Sequence, residues 1–266
     1  MMNRLRRVLI AVALVVVVFP YAWVVISSIK SQADLSDPTR LVFSPTLVNW
    51  KAVVEGGILG SAATSVVVGV VTVVIALVSG TLAAYSISKL RTGGDKTRFT
   101  VLLSEMMPPA VLVIPLFFLA LSAGVRDTLF AIIPAHLTFV VPVVTWFMIG
   151  FFDAVPDELE EQARVDGYGR VRAFWKVVLP QVLPGLGAAA IFAFILSWND
   201  LFYALILAGG NTRTLPVAIA GFNTFRGVEL GTMSAAILIS VVPVLIASFF
   251  VQRRLIQGLS GGGVKG

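Results

Sequence analysis

The stretch from Gly56 to Ser88 contains no charged side chain, and a soluble chain has no means of hiding such a run on every face. A helix needs about 20 apolar residues to cross the roughly 30 Å hydrocarbon core of a bilayer, because each residue rises about 1.5 Å. A span at 62–87 fits inside the run with residues to spare. Five more segments meet the same requirement, at 8–29, 99–123, 128–152, 185–210 and 230–251. Composition agrees, since 58% of the 266 residues are hydrophobic and 13% charged, against about a quarter charged in an ordinary soluble domain. The sequence therefore predicts an all-α membrane protein of one domain, 1–266, with six transmembrane helices.

Three function classes recede at once. The chain has no cysteine, which removes thiolate metal sites and cysteine nucleophiles. Its net charge of +6 comes from short basic runs between apolar segments rather than from a basic stripe interleaved with aromatics, so nucleic acid is not the implied partner. The basic runs set topology instead. With six spans, the two ends and the 89–98 and 153–184 connections hold fourteen Lys and Arg residues, while Lys30, Arg40, Lys51, Arg126, Arg213 and Arg226 lie on the other face. The positive-inside rule places both termini in the cytoplasm. The segment at 8–29 follows Arg4, Arg6 and Arg7, but its apolar run is too long for a signal peptide and no small-residue cleavage site follows closely, so it reads as an anchor.

The connection at 156–180 is unlike the rest of the chain. Pro156 suits a helix start, and Asp157 with Glu160 three residues on has capping-box spacing. Glu158, Glu160 and Glu161 fall near the positive end of that helix, and Gly167 is the residue type that closes a helix in the left-handed conformation. A second helix is expected after the Gly167-Tyr168-Gly169 break, with Val171, Phe174, Trp175 and Val178 on one face, until Pro180 stops it. Two readings follow. One is a solvated connection whose aromatic face rests among lipid headgroups; the other is a rigid element offered to a cytosolic partner.

The residues "ELEEQARVDGYGRVRAFWKVVLP" resemble the EAA loop of binding-protein-dependent ABC importer permeases. Glu161, Gln162 and Ala163 stand for its Glu-Ala-Ala, followed by Gly167 and by Leu179-Pro180; Gln162 departs from the usual alanine. "MMPPAVLVIPLFFL", "SWNDLFYALIL" and "VQRRLIQGLSGGGVKG" likewise resemble stretches of the MalG-like carbohydrate permeases. The resemblance implies one of two homologous membrane subunits of a sugar importer in a bacterial inner membrane. It also implies two ATPase subunits and an extracytoplasmic solute-binding protein as partners, and Glu161, Ala163, Asp166 and Gly167 as the residues coupling it to ATP hydrolysis. No cofactor is expected on this chain. ATP and magnesium would belong to the ATPase subunits, and the sequence contains no G-x-x-x-x-G-K-[ST].

Ionisable groups inside spans are costly and count as functional candidates. Glu105 lies in the third span, near enough to its cytoplasmic end to pair with a base, and His136 in the fourth; Asn199 and Asp200 are expected near the middle of the fifth. His136 and Asp200 fall at similar depths and are able to meet. These residues and Trp198 are candidates for the substrate path, with a structural hydrogen bond between helices as the alternative. Prolines at 108, 109, 115, 134 and 142 are expected to break the third and fourth spans and to mark the path among spans three to five. Other solutes, glycerol phosphate among them, fit the same machinery. A proton-coupled secondary transporter working through Glu105, His136 and Asp200 fits less well, since no inverted repeat is evident.

Overall fold

The computed structural model describes residues 2–37, 40, 42–224 and 227–262, with side chains from 6 to 249 within those ranges. Arg226 and Lys265, which enter the topology argument, lie outside the described residues, as do the side chains of Arg4, Arg253 and Arg254. In chain order the helices are α1 (Met2–Ser28), α2 (Gln32–Leu35), α3 (Val48–Glu55), α4 (Ile58–Ser88), α5 (Gly94–Glu105), α6 (Pro109–Ser122) and α7 (Leu129–Asp153). They continue as α8 (Asp157–Val165), α9 (Arg170–Ala173), a π-helical turn (Phe174–Val178), α10 (Leu179–Trp198), α11 (Phe202–Leu207), α12 (Leu215–Ala220) and α13 (Leu230–Gly262). Among the described residues the one departure from an all-α fold is a two-residue antiparallel pair, β1 (Asn223–Thr224) and β2 (Gly227–Val228).

Among the described residues five helices are long and apolar enough to cross a membrane, and six spans result if α5 and α6 count as one. These two meet at an 82° bend. Pro108 adopts an extended conformation with ψ 132° ahead of Pro109, because the ring of a following proline disfavours helical geometry in the residue before it. The proline pair thus breaks the third span as expected. In contrast, α6 runs unbroken through Pro115 and α7 through Pro134 and Pro142. An isolated proline removes one backbone bond, and packing neighbours keep such a helix intact at membrane depth.

The fifth span differs most from expectation. Instead of 185–210 it is a continuous helix from Arg170 to Trp198, and it passes through Pro180 and Pro184 without a stop. The π turn explains this. Its wider backbone frees the bond to residue i−4 that Pro180 cannot donate, here to Lys176 within the turn. It also shifts the register of the helix face. Of the four residues expected on one stripe, Phe174 and Val178 are buried while Val171 and Trp175 are exposed, and the buried line continues through Val182, Gly185 and Ala189.

The chain divides into two compact units, Met1–Ala63 with Leu215–Pro243, and Thr64–Thr214 with Val244–Gly266. In the first, α1 exposes apolar residues around its whole circumference from Val8 to Phe19, a surface suited to lipid. Its C-terminal end is held by Asn49, whose amide donates to the Ser28 and Lys30 carbonyls at 3.0 and 2.7 Å. The second unit has its core where α4, α7 and the α9–π–α10 rod meet, around Val144, Met148, Phe152, Phe174 and Val182. Gly185 lets α10 approach α7 closely: a Cβ there would sit 2.4 Å from the Phe151 ring. Replacing Gly185 with valine should cost about 1–3 kcal/mol through overpacking, read as a lower unfolding temperature of the purified protein in detergent; an unchanged temperature would contradict this packing.

Candidate functional site

The charged segment folds as the short helix α8, a glycine turn, and the start of the α9–π–α10 rod. Asp157, Glu158 and Glu160 occupy the first turn of α8, where the helix dipole favours carboxylates. The expected capping box does not form: Pro156 is the N-cap and no side chain caps the helix. Its two carboxylates have stronger partners. Asp157 meets the Lys89 ammonium at 2.6 Å, and Glu160 accepts from the Tyr85 hydroxyl at 2.9 Å. At the other end of α8 the expected glycine closure is present. Gly167 has φ +87°, its N–H donates to the Arg164 carbonyl at 3.1 Å, and the Tyr168 N–H donates to the Ala163 carbonyl at 3.0 Å, the two bonds of a Schellman motif.

The helix is fastened to the ends of α4 and α7. Lys89, only 6% exposed at its side chain, donates both to Asp157 and to the Val155 carbonyl. The Arg98 guanidinium makes two bonds of 2.9 Å to Asp153, and Ser88 donates to the same carboxylate. Beneath them the Tyr85 ring lies 4.7 Å from Phe174 and 5.8 Å from Phe152. Direct hydrogen bonding from Lys89, and then its charge, hold the Asp157 carboxyl below the ordinary carboxylate range.

Of the coupling candidates, Ala163 is buried at 4%, while Glu161, Asp166 and Gly167 are exposed. All four sit on one short, ordered segment with Ala163 turned inward. Gln162 is exposed as well, so a long side chain at that position costs no packing. None of the clamp residues Tyr85, Ser88, Lys89, Arg98 and Asp153 was singled out from the sequence. Their only linear signal is that polar groups flank the ends of apolar spans, and nothing local pairs residues so far apart.

The intramembrane candidates fall into two groups. His136, Ser197 and Asp200 meet: His136 Nδ1 lies 2.7 Å from the Ser197 hydroxyl and Nε2 lies 3.2 Å from Asp200, the latter off the line of a hydrogen bond. Asp200 also accepts from the Ala204 N–H at 3.1 Å. The grouping resembles a hydrolytic triad in composition only, since His136 is 1% and Ser197 4% exposed and a substrate cannot reach a hydroxyl so enclosed. Trp198, 2% exposed, stacks on Phe194 at 5.7 Å, and the Asn199 amide donates to the Ile195 carbonyl at 2.9 Å. Asn199 and Asp200 therefore stand at the break that ends α10, not in mid-helix as expected. Glu105 is separate from this group. It is exposed at the end of α5, beside the 82° bend, and among the described residues it forms no ion pair; the expected base is not there.

At the opposite end of α7, Asp127 ties the α6–α7 connection to the one after α11. Its carboxylate accepts from the backbone N–H groups of Gly209, Asn211 and Thr212, the Asn211 amide and the Thr212 hydroxyl, at 2.7–3.2 Å. Burial pushes this carboxyl up, but the bonds from Thr212, Asn211 and Gly209 outweigh it and hold it low.

Residues 76–261 match the family described as binding-protein-dependent transport system inner membrane component. The trehalose transport system permease protein SugB of Mycobacterium tuberculosis is 34% identical over 93% of this chain and 92% of its own. The chain belongs to this family of ABC-transporter permeases. The diacetylchitobiose uptake system permease protein DasC of Streptomyces coelicolor is 31% identical over 94% of the permease and 92% of its own length, in keeping with the MalG-like carbohydrate branch. A bacterial ABC transporter involved in import of the acidic polysaccharide alginate shares the fold, with a TM-score of 0.73, 24% identity and 95% of each chain covered. So does the inward-facing MetNI methionine ABC transporter, with a TM-score of 0.62 at 21% identity, covering 77% of the permease and 95% of that chain.

Because the folded Asp127 carboxyl is depressed, its contribution to stability is complete above the unfolded value of about 3.9 and is lost as pH falls through the folded one. The difference in unfolding temperature between the permease and its Asp127→Asn variant should thus stay constant from pH 8 to 5 and shrink below about pH 4. A difference that already falls between pH 8 and 6 would contradict this assignment.

Proposed function

We propose that the permease is a translocating subunit of an ATP-driven sugar importer and that α8 is the lever joining it to an ATPase subunit. The observation that carries this reading is mechanical. The inner side of α8 is fastened by Lys89, Tyr85 and buried Ala163, while Glu161, Asp166 and Gly167 remain free of those fastenings and exposed. The helix then enters a rod that continues through the fifth span. A displacement imposed on α8 is passed on rather than absorbed, as coupling requires.

In this scheme both termini and α8 face the cytoplasm of a bacterium, in keeping with the distribution of Lys and Arg. A second, homologous permease subunit completes the translocation path. Two ATPase subunits bind ATP and magnesium, and an extracytoplasmic binding protein delivers the solute. Sugar is favoured by the relatives, which include permeases for trehalose, diacetylchitobiose and sulfoquinovosyl glycerol. Glu161, Ala163, Asp166 and Gly167 form the coupling segment. Glu105, exposed at the α5–α6 bend, is the candidate best placed to line a polar path. His136, Trp198, Asn199 and Asp200 serve it indirectly by shaping the end of α10.

Gly167→Val would force a β-branched residue into a left-handed conformation. In liposomes holding the whole transporter, this variant should hydrolyse ATP with little or no uptake, while insertion of the permease is unchanged. Normal uptake would refute the lever. Asp200→Asn should preserve substrate selectivity while lowering the stability of the protein; altered selectivity at unchanged stability would instead place Asp200 in the path.

A further inference from the structure

The turn joining α4 to α5 is held in a conformation that side chains resist. Arg91 has φ +52°, ahead of Gly93 at +70° and Gly94 at +57°, and a residue with a Cβ is strained in this region. Neighbouring bonds fix the turn. The Thr92 N–H donates to the Ser86 carbonyl at 3.1 Å, the Thr92 and Ser86 hydroxyls share a bond of 2.8 Å, and Lys89 is anchored on Asp157. The result is the placement of Arg91. It lines a concavity of about 300 Å³ together with Arg164 of α8 and Arg170 of α9.

All three arginines are exposed, and among the described residues none forms an ion pair. Asp157, Glu160 and Glu161 share the lining, but Asp157 is engaged by Lys89 and Glu160 by Tyr85. The neutral Tyr85 hydroxyl leaves Glu160 charged, so three guanidiniums face the two carboxylates of Glu160 and Glu161, a surplus of one positive charge. Guanidinium is weakly hydrated and forked, and it matches carboxylates better than any other cationic side chain. An anionic membrane surface is the poorer match, because it would meet the acidic first turn of α8 at the same time.

We infer that the α4–α5 turn and α8 make one composite docking surface, in which Arg91, Arg164 and Arg170 receive an acidic patch of the ATPase subunit. The inference rests on the reading that α8 meets that subunit. It adds a second point of grip from a separate connection of the chain, so that the partner holds both sides of the clamp formed by Lys89.

The test is the affinity of the purified ATPase subunit for the full-length permease in nanodiscs of zwitterionic lipid, measured across salt concentrations. Arg91→Gly suits it, because glycine takes the left-handed conformation without strain; the cation is lost while the unfolding temperature of the permease is kept or raised. Binding should weaken about 3- to 10-fold at low salt and depend less on salt, as expected for a charge at an interface rim. Arg91→Glu should weaken it further. Arg172→Gln, whose guanidinium lies over the Tyr168 ring at 4.7 Å, should leave it unchanged. Affinities of both Arg91 variants equal to that of the natural protein would overturn the composite surface and leave coupling through α8 standing. No binding by the natural protein would overturn both. A defect seen only in nanodiscs of anionic lipid would assign the arginines to headgroups and also overturn the inference.

Discussion

The Lys89 ammonium holds α8 to the ends of α4 and α7. It is almost completely enclosed, and it joins the Val155 carbonyl and the Asp157 carboxylate, so that one side chain at the end of α4 fixes both the exit of α7 and the entry to α8. Exposed ion pairs taken singly contribute about 0–1 kcal/mol. Here the lysine is enclosed although Asp157 is exposed, and the pair is joined by the paired bonds of Arg98 with Asp153 and the Tyr85–Glu160 bond. Removing the lysine would leave a partly buried carbonyl and a carboxylate without their donor, a larger loss than the pair alone suggests.

What is fastened at one end is carried to the other. The helix from Arg170 to Trp198 has 29 residues, a length of about 43 Å, and its π turn lets it pass Pro180 without a joint. It ends at Asn199–Leu201, where Asp200 faces His136 and takes the Ala204 N–H. Buried polar groups of this kind persist in membranes when they satisfy one another, and such bonds are worth about 0.6–2 kcal/mol. The cluster therefore fixes where the rod stops and where α11 begins. The break in direction is left to the proline pair between α5 and α6, beside which Glu105 is exposed, while the Gly167–Gly169 turn is closed by its own backbone bonds.

Much of this was legible in the sequence because it depends on local chemistry. Apolar runs located the spans other than the fifth, Gly167 gave the left-handed closure, the Pro108-Pro109 pair gave the bend, and the depths of His136 and Asp200 gave their meeting. The failures have a common physical cause. Asp157 and Glu160 looked like a capping box because distant Lys89 and Tyr85 are invisible to a local pattern, and tertiary partners outcompete a backbone N–H. Pro180 looked like a stop because a π turn has no plain sequence mark. Once that turn was missed, the register of Val171, Phe174, Trp175 and Val178 was misjudged with it. Arg91 gave no signal at all: its left-handed conformation follows from the bonds of its neighbours.

A lever of this kind has one direct test. The natural chain has no cysteine, so spin labels can be placed at Glu158→Cys on α8 and Leu183→Cys on α10, both exposed, in the assembled transporter. Electron-spin distance measurements with and without bound nucleotide should give one narrow distribution at the same distance in both states, while the transporter still drives uptake. A distribution that broadens, or shifts by several ångströms when nucleotide binds, would show that α8 moves independently of the fifth span and would contradict the rigid lever.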